Sequence, residues 1–332
     1  MFHLPVRRTI AAMLVSISGT TIASAHEFWL QPSSFRVEPG QLFRVRTMNG
    51  ERFQGDVVPR NEPFVKRFTL CDADAMGASA SAGASAGASA GASAGASAGA
   101  SASASASTSA SAAASTAGTA GVQGAAGATG DAAMPIMGRH GGAQSFVRVP
   151  ETKGAILAFE SGEMSNELPA DRFNAYLDEE GLGTIRAYRE ANGQADEDGR
   201  EVYVRCAKSL ISIGGTGEGD ASTVVDRPVG LPLEIVVEPS PDADGRGRAR
   251  VLFQGKPIAG LRVVAVHHAN REHLVELKTD ADGLVEWAST DPGPWMLTSI
   301  HMVPLKDRTD ADWKSYWTSV TFMDGAAASD GA

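Results

Sequence analysis

The sequence predicts a mainly β protein built from two β-sandwich domains. Apolar or alternating runs of strand length recur along the chain, and turn-forming residues separate them. Their regular spacing is typical of β-sandwiches. Only one stretch, beginning near residue 168, changes to a helical period. We therefore expect a β-rich domain over residues 26–214 that carries a helical hairpin, and a second β-sandwich domain over residues 226–324.

The first 25 residues have the three parts of a secretory signal. Arg7 and Arg8 form a basic region, an apolar run covers residues 10–22, and Ala23-Ser24-Ala25 resembles a cleavage site. A membrane-spanning helix needs about 20 apolar residues, so an uncleaved anchor is the weaker alternative. We expect cleavage after Ala25 and a periplasmic protein that begins at His26.

The N-terminal domain is interrupted by a low-complexity tract over residues 73–133. The tract consists almost entirely of Ala, Ser and Gly, with a repeated Gly-Ala-Ser-Ala unit. Without large apolar side chains it cannot offset the entropy of ordering, so we predict a disordered insertion. A silk-like stacked strand is the alternative. The predicted strands of this domain are 34–37, 41–47, 65–70, 144–149, 154–159 and 201–213.

A helical hairpin is predicted between the strands at 154–159 and 201–213. Apolar side chains repeat at helical spacing on both sides of Gly181 and Gly183, which interrupt the pattern. In most α+β proteins, the apolar face of such helices packs on a sheet. The apolar positions are Phe173, Tyr176, Leu177, Leu182, Ile185 and Tyr188.

The C-terminal domain shows about seven strand-length segments with turn signals between them. The segment 261–267 is apolar at nearly every position, which predicts a central strand with both faces covered. The predicted strands are 233–237, 249–253, 261–267, 275–278, 284–287, 295–303 and 316–322.

Charge and cysteine content narrow the range of partners. The net charge is −10 and becomes more negative when Arg7 and Arg8 leave with the signal, so nucleic acid is not expected as a partner and cations are favoured. Cys71 and Cys206 are the two cysteines. In an oxidising compartment they form either a disulfide or two buried thiols, and the sequence leaves both alternatives open.

The chain contains the short motifs His26-Glu27-Phe28-Trp29, Arg205-Cys206-Ala207-Lys208 and His301-Met302-Val303. Together with further motifs they resemble a bacterial periplasmic family, the domain of unknown function 4198, whose members are often labelled periplasmic components of nickel or cobalt uptake. The resemblance covers nearly the whole mature chain except the Ala/Ser/Gly tract. The C-terminal domain is also similar to transthyretin-like or carboxypeptidase-regulatory β-sandwiches. The matching motifs include Ala25-His26-Glu27-Phe28-Trp29-Leu30-Gln31-Pro32, Gly50-Glu51-Arg52-Phe53, Val58-Pro59-Arg60, Arg205-Cys206-Ala207-Lys208, Asp226-Arg227-Pro228, His301-Met302-Val303 and Ala311-Asp312-Trp313.

Candidate metal ligands follow from these motifs and from the predicted cleavage. A terminal His26 offers its α-amine and imidazole to one ion, and such nitrogen ligands suit Ni²⁺, Co²⁺, Cu²⁺ or Zn²⁺. An ordinary histidine at a frayed terminus is the alternative. His301 lies on the less apolar face of its predicted strand, and Asp312 follows in the next loop. We expect His26, His301 and Asp312 to be metal ligands, with Trp29, Trp295 and Trp313 packed around them.

The remaining motifs do not predict an enzyme. His267, His268 and His273 are interpreted as a surface turn and His140 as incidental. Outside the Ala/Ser/Gly tract, whose repeats contain Gly-Ala-Ser-Ala-Gly, the chain has no Gly-x-Ser-x-Gly elbow, and it has no His-Glu-x-x-His motif. The resemblance implies a binding protein that handles a transition-metal ion or metal complex and passes it to a membrane permease. Two other functions stay open: an envelope interaction module without metal, and a copper oxidase with an N-terminal histidine.

Overall fold

The computed structural model describes residues 26–72, 133–152, 154–214, 226–238, 246–289 and 292–324. The predicted mainly β fold is confirmed: three sheets and two short helices account for most of the described residues. Among these residues, no helix is long and apolar enough to cross a membrane. The predicted signal and most of the predicted disordered insertion lie outside the described residues.

The N-terminal sheet has five strands in the order β1-β3-β8-β7, with β4 paired to β3. A two-residue turn at Arg52 and Phe53, both with positive φ, joins β3 to β4, and this geometry matches the right-handed twist of a hairpin. The strand bounds are β1 Glu27–Pro32, β3 Leu42–Glu51, β4 Gln54–Val57, β7 Met137–Gly138 and β8 Ser145–Arg148.

The central sheet has ten strands from both halves of the chain. Its order is β16-β15-β18-β19-β11-β9-β5-β6, and β2 and β10 also pair with β11. The bounds are β2 Arg36–Val37, β5 Val65–Asp72, β6 Ala133–Pro135, β9 Gly154–Ser161, β10 Met164–Leu168, β11 Gly199–Ile213, β15 Arg262–His267, β16 Leu274–Lys278, β18 Gly293–Pro304 and β19 Trp313–Asp324.

The C-terminal sheet has four strands in the order β12-β13-β14, with β17 paired to β13. Every strand predicted from the sequence corresponds to a strand of the structure, including the central position of β15 between β16 and β18. The bounds are β12 Leu233–Glu238, β13 Arg246–Phe253, β14 Lys256–Pro257 and β17 Leu284–Ala288, and a short 3-10 helix covers Glu62–Phe64.

The central sheet is the middle of three layers. All eight residues of β9 are buried, because alternate side chains enter two different cores. Ile156 and Ala158 contribute to the core shared with the C-terminal sheet. Leu157 and Phe159 contribute to the core shared with the N-terminal sheet. A cavity between the N-terminal sheet and the central sheet is large enough to enclose a ligand.

Strands β11 and β19 pair in parallel over nine residue pairs, from Glu201–Trp313 to Ser209–Thr321. This pairing joins the segments 26–214 and 226–324 within one sheet. The two segments therefore share a hydrogen-bonded sheet and a common hydrophobic core, whereas the predicted domain boundary is placed between them.

The predicted helical hairpin is confirmed as α1 (Ala170–Glu179) and α2 (Gly183–Ala191). The hairpin packs on the end of the central sheet, where Ile300, Met302 and Trp313 form the sheet side of its core. Tyr176 stacks on Trp317 with ring centroids 6.0 Å apart. The buried helix residues include five of the predicted positions, namely Phe173, Tyr176, Leu177, Leu182 and Ile185.

The two cysteines are free thiols, and both are buried. Cys71 and Cys206 belong to the core between the central and C-terminal sheets. Burial raises the pKa of the Cys206 thiol to about 12. Because the thiolate is the reactive form, Cys206 is an inert core residue in this structure.

Candidate ligand-binding site

A cavity of about 610 Å³ opens between the N-terminal and central sheets. It is named the principal cavity because it is larger than the second cavity beside the helical hairpin. Strands β1 and β3 form one wall, and β5, β9 and β11 form the other. Its lining is mainly apolar and aromatic, as in most small-molecule sites. The aromatic residues are Phe28, Phe64, Phe68, Phe159 and Tyr203, and the polar residues are Thr47, Asn49, Arg60, Asn61, His140, Ser161 and Arg205.

Arg205 is the most unusual side chain of the cavity. Its Nη1 donates to Asn49 Oδ1 at 2.9 Å and to the carbonyl oxygen of His26 at 3.1 Å. The guanidinium carbon lies 5.4 Å from the ring centroid of Phe28 and 5.9 Å from that of Trp317. Burial lowers the pKa of Arg205. Arginine nevertheless stays charged in proteins, so this cavity contains a desolvated cation.

No carboxylate among the described residues lies within ion-pair distance of Arg205. The charge of the nearby Glu201 favours the Arg205 cation without direct contact. A bound anion in direct contact would offset the desolvation cost that remains. The planar guanidinium suits a carboxylate or phosphate because it can donate two parallel hydrogen bonds. The cavity therefore combines an anion-binding group with apolar walls.

Arg60, which also lines the cavity, already has a carboxylate partner. Its Nε donates to Glu62, and its Nη1 donates to the carbonyl oxygen of Ile136 at 2.8 Å. Its guanidinium also lies 5.5 Å from the ring centroid of Phe68. Arg60 thus ties β7 to the segment after β4, and its charge is compensated within the protein.

A second, smaller cavity of about 330 Å³ lies beside the helical hairpin and is lined by four carboxylates. Burial raises the pKa of Glu180 to about 7, although Arg262 lies 3.8 Å from the carboxylate and opposes the shift. Burial also raises the pKa of Glu27. The carboxylates are Glu27, Glu51, Glu179 and Glu180.

His26, the first predicted metal ligand, is half-buried at the start of β1. Its backbone carbonyl accepts a hydrogen bond from Arg205. The predicted first residue of the mature chain therefore contacts the side chain that gives the cavity its charge.

His301, the second predicted ligand, lies on the opposite face of the central sheet. Its ring packs on Phe253 of the C-terminal sheet, with centroids 4.5 Å apart, and burial lowers its pKa. Strand β1 lies on the other face, where Ser319 and Thr321 of β19 donate to the carbonyl oxygens of Phe28 and Leu30. Because side chains alternate along a strand, His26 and His301 do not share a site.

Asp312, the third predicted ligand, is held by Arg200. Nε and Nη2 of the arginine lie 2.9 and 2.7 Å from the two carboxylate oxygens. Backbone hydrogen bonds from Asp312 to Arg200 and from Leu305 to Asp312 fix the same loop. The pair therefore anchors the connection between β18 and β19, and the structure does not bring the three predicted ligands together.

The tryptophans expected around a metal are buried in three separate places. Trp29 packs with Met48 and Met296, Trp313 belongs to the helix core, and Trp295 belongs to the core beneath the C-terminal sheet. Within the described part of the chain, no group of three or more His, Cys, Asp or Glu side chains is arranged to hold a metal ion.

Of the other histidines, His268 and His273 lie in the turn between β15 and β16 as expected, whereas His267 and His140 differ from the sequence interpretation. His267 is buried against Trp295 with ring centroids 5.0 Å apart, so it is a core residue and not part of a surface turn. His140 lines the principal cavity, where its Nδ1 accepts from the backbone N–H of Glu62 at 3.4 Å.

The sequence interpretation did not select Arg205, Asn49 or Tyr203 as site residues. Arg205 and Arg60 do lie within two of the matching motifs, Arg205-Cys206-Ala207-Lys208 and Val58-Pro59-Arg60. The motifs therefore contained both arginines. Metal-ligand chemistry favours histidine over arginine, and the sequence does not show that these arginines face one cavity.

Comparison with known proteins gives a family but no closer relative. No curated protein and no solved structure matches the chain. The family model described as "Domain of unknown function (DUF4198)" matches residues 23–303, which is most of the chain. The chain therefore belongs to the DUF4198 family.

Proposed function

We propose that this chain is a periplasmic binding protein whose principal cavity captures a small anionic organic ligand. The observation that supports the proposal is the half-buried guanidinium of Arg205, which lines an apolar cavity and forms no ion pair with a carboxylate among the described residues. A ligand carboxylate would supply the missing counterion, and the aromatic walls would cover the rest of the molecule.

The proposal is compatible with the metal handling that the family resemblance implies, if the metal arrives as an anionic complex. An organic carboxylate that chelates Ni²⁺ or Co²⁺ would enter as an anionic complex, and Arg205 would bind its outer carboxylate oxygens. The contact between Arg205 and His26 would place the predicted terminal amine and imidazole next to such a complex. A membrane permease would then receive the cargo.

The test is isothermal titration with a panel of small carboxylates, each offered alone and as its Ni²⁺ or Co²⁺ complex, and with the free metal ions. We expect binding of at least one carboxylate species by the wild-type protein. Arg205→Gln should weaken it by about thirtyfold or more, because loss of a buried charge partner costs about 2 kcal/mol or more.

Arg148→Gln is the matched control, since it makes the same change of charge at an exposed position outside the cavity. The control should bind like the wild type. Equal affinity of the two variants, or binding of free metal ions only, would contradict the anionic-ligand proposal.

The interaction-module alternative is supported by a different observation. Met137 and Phe146 are exposed cross-strand partners on the outer face of the N-terminal sheet, and Leu42 is exposed on the same sheet. A protein that binds no carboxylate species, but loses association with envelope partners after Phe146→Ser, would favour this alternative.

A further inference from the structure

A lysine and two carboxylates form a fully enclosed cluster where β11 meets the start of the C-terminal segment. Lys208 Nζ lies 2.8 and 2.9 Å from the two carboxylate oxygens of Asp226 and 3.1 Å from Glu234 Oε1. The exposed fractions of the three side chains are 1%, 0% and 2%. None of the three residues lines the principal cavity or the second cavity.

The cluster holds an amine and a carboxyl group in direct contact. Nζ is almost equidistant from the two Asp226 oxygens, which is the arrangement of a bidentate ion pair. To attack the carboxyl carbon, Nζ moves a short distance from the oxygen edge to the face of the carboxyl group. When two reacting groups are held roughly 3–3.5 Å apart, the reaction avoids a large part of the entropy cost of bringing them together. The surrounding core excludes the water that would otherwise solvate both groups.

We propose that Lys208 and Asp226 form an intramolecular isopeptide bond. One proton passes from the Lys208 ammonium to the Asp226 carboxylate, which gives a neutral amine and a carboxylic acid. The nitrogen lone pair attacks the Asp226 Cγ, the C–N bond forms, the C–O bond to the hydroxyl breaks, and one water molecule leaves. The reaction is a dehydration and needs no oxidant, reductant or activating group.

Burial disfavours both charges of the ion pair. Burial raises the pKa of the Asp226 carboxyl, although Lys208 opposes the shift. Burial also disfavours the Lys208 ammonium, but the carboxylates of Asp226 and Glu234 outweigh it and raise the pKa of Lys208, so the proton transfer to Asp226 is the uphill step. Keeping a buried ion pair costs desolvation energy, and a neutral amide has no such cost. The product therefore replaces two buried charges by one amide group.

Glu234 is placed to move the second proton. Its Oε1 contacts Nζ, and its two oxygens accept backbone hydrogen bonds from Val229, Gly230 and Leu231 at 2.7 to 3.1 Å. After the attack, Glu234 takes a proton from the nitrogen and delivers it to the departing hydroxyl, so the carboxylate is regenerated. Glu234 is therefore the catalytic residue of the reaction.

Two backbone N–H groups are placed to stabilise the developing charge on Asp226. Arg227 N lies 2.7 Å from Oδ1 and Val237 N lies 2.9 Å from Oδ2. Fixed donors aimed at an oxygen that becomes more negative during the attack lower the barrier, as in an oxyanion hole. Four functional parts of the reaction are thus present: nucleophile, electrophile, proton carrier and oxyanion donors.

The test is a tryptic digest of the denatured, alkylated full chain followed by mass spectrometry. Trypsin cleaves after free lysine but not after acylated lysine, and the Arg227–Pro228 bond resists cleavage. We expect one peptide covering residues 206–246 whose mass is one water molecule below that of its sequence. Its fragmentation should give no backbone ions between positions 208 and 226, because the new bond closes that segment into a ring.

Complete cleavage after Lys278 and Lys314 in the same digest controls for trypsin activity. Glu234→Gln keeps the size of the side chain but removes the proton carrier, so cleavage after Lys208 should return. A wild-type digest that contains peptides 206–208 and 209–246 at full mass would overturn the proposal, and this result does not depend on whether the variant folds.

Discussion

At the level of single residues, Glu180 couples the stability of the fold to pH. Burial raises its pKa from 4.5 to about 7. A raised pKa means that the folded state binds the proton more tightly than the unfolded state. The resulting stabilisation is fully present below about pH 4.5 and is lost as the pH rises through about 7.

Glu180→Gln should remove this pH dependence. The free energy of unfolding of the variant, relative to the wild type, should rise by about 3 kcal/mol between about pH 4 and about pH 8, since each pKa unit corresponds to about 1.4 kcal/mol. Urea unfolding at both pH values measures it. Glu179→Gln is the control, because Glu179 is the exposed neighbour in the same cavity. A constant difference for Glu180→Gln across this range would contradict the prediction.

The candidate sites also show which residue properties a sequence reveals. The face of β18 that carries His301 was predicted correctly, because strand alternation is a local rule. His26 and His301 were expected to bind one metal ion because both lie in motifs of the family. Such motifs contain no information about which face of a sheet a distant segment covers. Arg205 became a candidate only when its missing counterion was visible in three dimensions.

At the level of elements, the turn between α1 and α2 depends on one glycine. Gly181 has φ +70°, and Leu182 N donates to Leu177 O at 2.8 Å while Gly181 N donates to Asp178 O at 3.3 Å. This pair of hydrogen bonds is a Schellman motif with glycine at its left-handed position. A side chain here is strained by the backbone and would also meet Arg262 Cδ at 2.8 Å.

Gly181→Ala should therefore destabilise the protein by about 1 kcal/mol or more. Gly183→Ala is the matched control two residues later, where an added Cβ meets nothing within 4 Å and alanine favours the helix that follows. Thermal unfolding of both variants measures the difference. Equal melting temperatures would show that the Schellman turn does not limit the stability of the hairpin.

The elements themselves were largely predictable, because periodicity is a local property. The strands β5, β9 and β11 lie within two residues of their predicted bounds, and the two helices contain predicted apolar positions on both sides of Gly181. Strand β1 was not predicted as a strand, although its residues were recognised in a motif. Its extended form depends on pairing with β3 and on hydrogen bonds from β19, which is almost 300 residues away.

At the level of the whole molecule, the parallel pairing of β11 with β19 was beyond sequence reasoning. Each strand is recognisable alone, but its choice of neighbour is decided by cores that contain residues from both segments. The alternation within β11 sends Cys206 and Leu210 to one core and Ala207 and Ile211 to the other. Two sandwiches that share a sheet give the same strand pattern as two sandwiches joined by a linker.

The low-complexity tract provides a test of how independent the fold is of its longest insertion. Cys71 at the end of β5 pairs with Ala133 at the start of β6, so the tract leaves and enters the sheet at neighbouring positions. On the prediction that the tract is disordered, replacing residues 74–131 with a short Gly/Ser turn should raise the free energy of unfolding by about 2 kcal/mol, because each halving of a flexible loop lowers its closure cost by about 0.6 kcal/mol. Denaturant unfolding measures the change, and a scrambled Ala/Ser/Gly tract of equal length should leave the stability unchanged. If the shortened protein is less stable than the wild type, the tract makes contacts that the entropy argument omits.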